Sequence, residues 1–417
     1  MDKFIINGGQ KLAGKIKVSG AKNAILPIMT AALLAKGKTI LHNVPYLNDI
    51  KMMAHLLRVI GARVDYFEDT MEIDTTHCSY FEAPYELVSK MRASIYVLGP
   101  LLARFGQARV SFPGGCAIGT RPVDLHLKAM EALGTKIEIE HGYILAKCDR
   151  LVGNKVVFDK VSVGATANTL MTAVLAEGTT EIVNAAKEPE ISSLIDILNV
   201  MGAKISGKDS DHLTVRGVKK LNPVAMNMIP DRIEAGTFLI AGAITRSKIR
   251  VENCCPEHLQ ALNEKLIEAG CDLNISENSI ELIPAEKIRP VDICTSPHPG
   301  FPTDLQAQFM ALMAIAEGEC TLEDTVFPDR FMHVSELNRL DADIETRDNL
   351  AVVKGVQKLS GAEVMATDLR ASAALVLAGL AAEGKTTISR IYHIDRGYEH
   401  IERKLNMIGA DIKRVLA

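Results

Sequence analysis

The chain has 417 residues, 47% of them apolar and 24% charged, with a formal net charge of −4. That length exceeds one ordinary hydrophobic core and predicts two or three domains, while the mild acidity gives no electrostatic reason to expect nucleic acid or a membrane surface as partner. The eight cysteines show no CxxC spacing and no histidine at ligand distance, so they read as reduced thiols filling small core positions, not as a metal site or a disulfide framework.

From the N-terminus, residues 1–9 lack the apolar stretch of a signal peptide. The longest run of small apolar residues, 371–382, is too short to span a bilayer. A cytoplasmic protein is expected. Beyond residue 20 one pattern recurs: an alanine-rich apolar helix, a short strand, an amphipathic helix, then a hydrophobic-Gly-small ending that runs into another strand. The endings are Ile60-Gly61-Ala62, Leu133-Gly134-Thr135, Met201-Gly202-Ala203, Ala269-Gly270-Cys271, Leu340-Asp341-Ala342 and Ile408-Gly409-Ala410, spaced by 73, 68, 68, 71 and 68 residues. Six copies of one unit follow. In the fifth, Asp341 replaces glycine, which predicts a different helix C-terminus there.

The first helix of each copy (24–35, 94–103, 166–176, 235–244, 304–316 and 371–382) is apolar almost all round, so each should be buried on every side. The second helices, such as 259–269 and 399–408, carry one apolar stripe and should lie half exposed. Buried inner helices in six copies predict two lobes of three copies each, with a boundary in 221–230, where Asn222-Pro223 and Ile229-Pro230 punctuate the chain. A continuous solenoid is the alternative, but a period near 70 residues is long for one.

Between the second inner helix and its partner lies the most unusual stretch, Ser111-Phe112-Pro113-Gly114-Gly115-Cys116-Ala117-Ile118-Gly119-Thr120-Arg121-Pro122-Val123-Asp124-Leu125-His126. A β-type run, 108–112, feeds a Pro-Gly-Gly turn. Cys116 then sits at a loop tip, and Arg121-Pro122 opens a helix over 122–133. Free N–H groups at that helix start, together with an arginine, favour an anion and lower the pKa of a nearby thiol. Taken alone, Cys116 reads as a quiet thiol; its loop setting raises it to a candidate reactive group.

The starts of the inner helices carry polar residues that the helices themselves do not require: Ser19-Gly20-Ala21-Lys22-Asn23, Lys90-Met91-Arg92, Lys160-Val161-Ser162-Val163-Gly164, Pro230-Asp231-Arg232, Pro302-Thr303-Asp304 and Thr367-Asp368-Leu369-Arg370. Dipole ends and cations of this kind suit a ligand with several negative charges, bound in a cleft between lobes. Lys22 opposes its helix dipole and therefore wants a reason. Asp304 reads equally as an acidic residue favouring the dipole, and Arg92, Arg370 and Arg396 individually read as surface ion-pair arginines. Composition and spacing lead to a two-lobed, anion-binding enzyme with a candidate reactive cysteine.

The stretch from Pro113 to His126 resembles the active-site loop of the UDP-N-acetylglucosamine 1-carboxyvinyltransferases, members of the enolpyruvyl transferase family. Ser19 to Asn23, Asp159 to Thr166, Pro302 to Gln308, Asp329 to His333, Ala366 to Ser372 and Asp395 to Tyr398 resemble further motifs of that family, in the same order along the whole chain. The resemblance implies an α/β enolpyruvyl transferase fold: two inside-out, barrel-like lobes, each of three pseudo-symmetric βαβαββ-type units. Residues 22–228 would form one lobe, and 1–21 with 229–417 the other, with the active site in the interlobe cleft.

The implied reaction moves the enolpyruvyl group of phosphoenolpyruvate to the 3-hydroxyl of UDP-N-acetylglucosamine and releases phosphate, as the first committed step of peptidoglycan synthesis. No metal or organic cofactor is implied, and fosfomycin is the implied covalent inhibitor. By resemblance Cys116 is the general acid and site of a covalent adduct, Asp304 the base facing the sugar hydroxyl, and Lys22, Arg121 and Arg396 the clamp on phosphoenolpyruvate. Asn23, Arg92, Arg121, Pro122, Val123, Asp124, Leu125, Lys160, Val161, Ser162, Val163, Gly164 and Val326 would contact the nucleotide sugar, and Asp368 and Arg370 would shape the pocket. Transfer of the same group to shikimate 3-phosphate is the alternative enzyme, and a silent UDP-sugar-binding paralogue the alternative outside catalysis.

Overall fold

The computed structural model describes residues 2–113 and 123–416, so the readings on Cys116, Arg121 and Pro122 lie outside the described residues. Among the described residues the repeats form six four-stranded sheets of one design. In the third, Lys155–Val157 runs parallel to Thr179–Val183, and His212–Arg216 and Lys204–Ser206 follow antiparallel. The other five sheets repeat that order. Alternation decides which face turns inward: in Lys3–Asn7, Phe4 and Ile6 are fully buried and Lys3 is exposed.

Sheet pairing closes each set of three repeats upon itself. The first sheet takes its edge strand from Ala225–Asn227, paired with Lys38–His42, and the fourth takes Gly14–Lys17, paired with Ile249–Glu252. Lys3–Asn7 lies between Lys385–Ser389 and Ile412–Val415 in the sixth. Among the described residues the chain accordingly divides into two compact units, one of residues 2–19 and 230–416, the other of residues 20–113 and 123–229. Each unit has its own apolar core.

The first unit is centred on helices Arg232–Ile244, Gln306–Met313 and Leu369–Ala381, and the second on Lys22–Ala31, Leu98–Phe105 and Val163–Ala173. Their predominantly apolar sequences bury them on nearly all faces: every residue from Ile233 to Ile244 is buried, and the half-buried positions lie at helix ends, such as Asn23, Val163, Gly164 and Ala103 to Phe105. The close approach of Leu98–Phe105 to Val163–Ala173 explains one glycine. A Cβ on Gly99 would stand 2.6 Å from the backbone oxygen of Asn168. No helix among the described residues is long and apolar enough to cross a membrane.

Two expectations are corrected. Asp341 does not impose a different helix end: it adopts φ +66°, the left-handed conformation that Gly61, Gly134, Gly202, Gly270 and Gly409 adopt in the other repeats. Its N–H bonds the Asn338 carbonyl, and that of Ala342 bonds Leu337, the same pattern as Gly61 to Arg58 and Ala62 to Leu57. Aspartate is among the few side chains that tolerate this conformation. The cysteines also divide: Cys78, Cys254, Cys271 and Cys320 are buried core residues, whereas Cys294 is exposed.

Candidate active site

In the first unit the chemistry gathers on Asp304. Pro302 ends the extended segment before it, and a 3-10 turn, Thr303–Leu305, presents the carboxylate ahead of helix Gln306–Met313. Arg330 Nη1 donates to Asp304 Oδ1 at 2.8 Å, and Arg370 Nη2 donates to Oδ2 at 2.8 Å. The arginine side chains are 5% and 3% exposed and the carboxylate 25%. Burial alone would push the carboxyl pKa up. The two guanidinium groups override it and hold Asp304 well below the usual carboxylate range. Asp304 is therefore held ionised near neutral pH, with 25% of its side chain exposed.

Each arginine is itself anchored. Arg330 Nη1 also reaches Thr303 Oγ1 at 3.1 Å, and Thr303 donates to Asp324 Oδ2 at 2.6 Å. The other Asp324 oxygen accepts from Thr295 and from the backbone N–H groups of Val326 and Phe327. Val326 thus stands in a turn tied to the same carboxylate that steadies Arg330, with its own N–H already used. Arg330 Nε and His333 Nε2 are buried without a partner among the described residues, which leaves polar capacity beside Asp304. Burial and Arg330 push the His333 imidazole down to about 4, against Asp368, so it stays neutral near pH 7. Arg396 closes a 3-10 turn, Ile391–Arg396, and is half-buried.

In the second unit Lys22 begins helix Lys22–Ala31 and is buried, with Nζ 3.2 Å from Asp49 Oδ2. Asp49 offsets the unfavourable placing of a cation at a helix start. Asn23 and Arg92 are half-buried, the latter opening a 3-10 turn, Arg92–Val97, that precedes Leu98–Phe105. Val123 and Leu125 bury their side chains in the core and Asp124 is exposed at the start of helix Asp124–Ala132, so only the main chain of Val123 and Leu125 is placed to meet a ligand. Lys160 is exposed, and Val161, Ser162, Val163 and Gly164 are half-buried where helix Val163–Ala173 starts. First-turn N–H groups such as those of Val163 and Gly164 have no intrahelical acceptor and favour anions. A Cβ on Gly164 would lie 3.1 Å from His126 Nε2, so glycine makes room for that imidazole. Burial, with Arg92, pushes His126 down to about 4.

Three polar helix starts have a structural task after all. Ser162 accepts from Ala165 N–H, Asp231 from Ile233 and Glu234, and Asp368 from Arg370 and Ala371. They are N-caps, so the reading that the helices do not require them is overturned for these residues. Arg370 does more than shape a pocket: it holds Asp304. Asp49, Arg330 and His333 were not singled out by sequence reasoning. Arg330 and His333 stood in a quoted motif without a role, and Asp49 carried no signal beyond a place in the first turn of helix Asn48–Ile60. Among the described residues no group of three or more His, Cys, Asp or Glu could hold a metal ion.

Residues 6–405 match the family described as EPSP synthase (3-phosphoshikimate 1-carboxyvinyltransferase). The UDP-N-acetylglucosamine 1-carboxyvinyltransferase of Geotalea uraniireducens is 55% identical over 415 residues, covering 100% of both chains, and that of Desulfosudis oleivorans is 52% identical over 415 residues with the same coverage. Among solved structures, the enolpyruvyl transferase NikO from Streptomyces tendae superposes with a TM-score of 0.91 at 26% identity, over 100% of this chain and 99% of that one. EPSP synthase from Acinetobacter baumannii gives 0.79 at 18% identity over 100% of both, a likeness of fold.

Proposed function

We propose a function from one premise: the chain belongs to the EPSP synthase family of enolpyruvyl transferases. It transfers the enolpyruvyl group of phosphoenolpyruvate to the 3-hydroxyl of UDP-N-acetylglucosamine, and so serves peptidoglycan synthesis. The observation that carries this reading is identity of 52% to 55% over the full chain to relatives of that name. It favours the nucleotide sugar over shikimate 3-phosphate as acceptor.

The residues suit the chemistry. Addition requires a proton at C3 of phosphoenolpyruvate, which makes C2 electrophilic, and loss of the proton from the attacking hydroxyl. Elimination then takes a proton back from C3 and expels phosphate. Cys116 is assigned the C3 proton and the covalent adduct, and a thiol between Gly114-Gly115 and Gly119 in the sequence suits both. Asp304 is assigned the hydroxyl proton. Held ionised by two arginines, it is a weak base, so it accepts late, once C–O bond formation has made the hydroxyl acidic. Lys22, Arg121 and Arg396 are assigned the phosphate and carboxylate of phosphoenolpyruvate, where ammonium and guanidinium charges serve.

Asn23, Arg92, Arg121 to Leu125, Lys160 to Gly164 and Val326 are assigned the nucleotide sugar. A cytoplasmic location and alkylation of Cys116 by fosfomycin belong to the same reading. The test is phosphate release with each acceptor in turn. Turnover is expected with UDP-N-acetylglucosamine, none with shikimate 3-phosphate, and none with the Cys116→Ala variant on either. Release from shikimate 3-phosphate, or wild-type turnover by Cys116→Ala, overturns it.

A further inference from the structure

Behind Arg370 lies a chain of hydroxyl groups that the reaction does not touch. Tyr398 is 1% exposed, and its hydroxyl lies 2.8 Å from Thr237 Oγ1, 3.1 Å from Gln308 Nε2 and 3.3 Å from Arg370 Nη1. The direction of the protons follows from the partners. Thr237 Oγ1 lies 2.8 Å from the Ile233 carbonyl, which can only accept, so Thr237 donates there. Tyr398 must then donate to Thr237, leaving its lone pairs for Arg370 and Gln308. Gln308 Nε2 also reaches the backbone oxygen of Asp304 at 3.0 Å. The same tyrosine hydroxyl is therefore tied to Asp304 twice, through the Arg370 side chain and through the Gln308 amide.

We propose that Tyr398 is a positioning residue for Asp304, acting through Arg370, and that helix Arg232–Ile244 anchors it by Thr237. Without the phenolic oxygen, Arg370 Nη1 loses the acceptor that sets the plane of the guanidinium, and Asp304 Oδ2 loses a fixed donor. The geometry favours alignment over simple core filling, because the hydroxyl accepts from one charged and one amide donor while the ring supplies the bulk. This rests on the reading that Asp304 acts at the sugar hydroxyl.

The experiment compares Tyr398→Phe, Thr237→Val, Thr237→Ser, Asp304→Asn and the double variant Tyr398→Phe/Asp304→Asn. Tyr398→Phe keeps the ring, and kcat should fall about tenfold, the scale of one buried hydrogen bond to a charged group. The KM for UDP-N-acetylglucosamine should stay within about twofold, since an interaction made only in the transition state appears in kcat. Thr237→Val should lose activity in kcat and Thr237→Ser, which keeps the acceptor, should regain it. The double variant should be no slower than Asp304→Asn alone, because the hydroxyl acts only through that carboxylate. Unchanged kcat in Tyr398→Phe, or fully multiplicative losses in the double variant, overturns the positioning role. Full activity of Asp304→Asn instead overturns the assignment of Asp304 itself, so the two failures are told apart.

Discussion

Replacing Asp304 by alanine should destabilise the first unit as well as stop chemistry, and the size of the effect follows from what is left behind. Arg330 and Arg370, 5% and 3% exposed, share this one carboxylate. Their other side-chain hydrogen-bond partners among the described residues, Thr303 and Tyr398, are neutral, and Asp231 is a further acid acting on Arg370. Removing one member of a buried ion pair costs about 3–5 kcal/mol, because the survivor is a desolvated charge. For a unit of this size each kcal/mol moves the midpoint by about 2–4 °C, so Tm should fall by roughly 6–20 °C. Asp304→Asn keeps the shape and loses the charge, so it should fall nearly as far; a cavity effect would spare it. Inorganic phosphate should restore part of the loss by standing between the two cations. The sign with pH is also set. A carboxyl held below its unfolded pKa stabilises the fold above that value, so the gap between wild type and variant should close below about pH 4. Differential scanning fluorimetry across pH reads all of this. A Tm within about 2 °C of wild type at pH 7 would mean that the arginines are not desolvated and that the clamp has been misread.

The buried imidazole of His126, pushed down to about 4, gives a prediction in the acid range. Above about pH 6.5 it is neutral folded or unfolded and contributes nothing; below that the unfolded chain takes a proton the fold refuses, so stability drops by about 3 kcal/mol by pH 4. Urea midpoints of His126→Gln should therefore decline less steeply from pH 6.5 to 4, and parallel curves would count against a neutral, desolvated ring. Lys22 and Asp49, with side chains 9% and 7% exposed, should show coupling in a double-mutant cycle. Lys22→Met and Asp49→Asn each cost about 3–5 kcal/mol alone, but the pair together costs far less than the sum. Additive losses by chemical denaturation would show that the two charges do not depend on each other.

What the sequence made legible, and what it hid, divides by the range of the interaction. All-round apolar stretches such as 235–244 announced buried helices because period and composition are local, and the observed Arg232–Ile244 extends the expectation by one turn at its start. The repeat endings marked the end of each second helix by a hydrophobic-Gly-small pattern, with Asp341 as the exception. The error at Asp341 came from treating glycine as necessary where it is only the least strained choice. Polar residues at helix starts were ambiguous for a physical reason: a cap and a ligand contact use the same chemistry, an oxygen facing free N–H groups. Ser162, Asp231 and Asp368 turned out to serve their own helices.

Asp304 sits in the same kind of position, and nothing within five residues distinguishes it. The distinction comes from Arg330 and Arg370, 26 and 66 residues away. Arg370 reads singly as a surface ion-pair residue and Arg330 carries no role of its own, because a residue's burial depends on the whole fold and not on its neighbours in the chain. Only once the inner helices are packed does Leu369–Ala381 bring Arg370 against Tyr398 and Asp304 at the same time. Among the described residues Asp304 is a helix-start acid whose charge is answered by two buried cations distant in sequence, Arg330 from its own repeat and Arg370 from the next. A capping aspartate such as Asp368 is answered by its own backbone. That contrast predicts the response to substitution: loss of a cap frays one helix end for about 1 kcal/mol, whereas loss of Asp304 leaves two desolvated cations without the carboxylate they share.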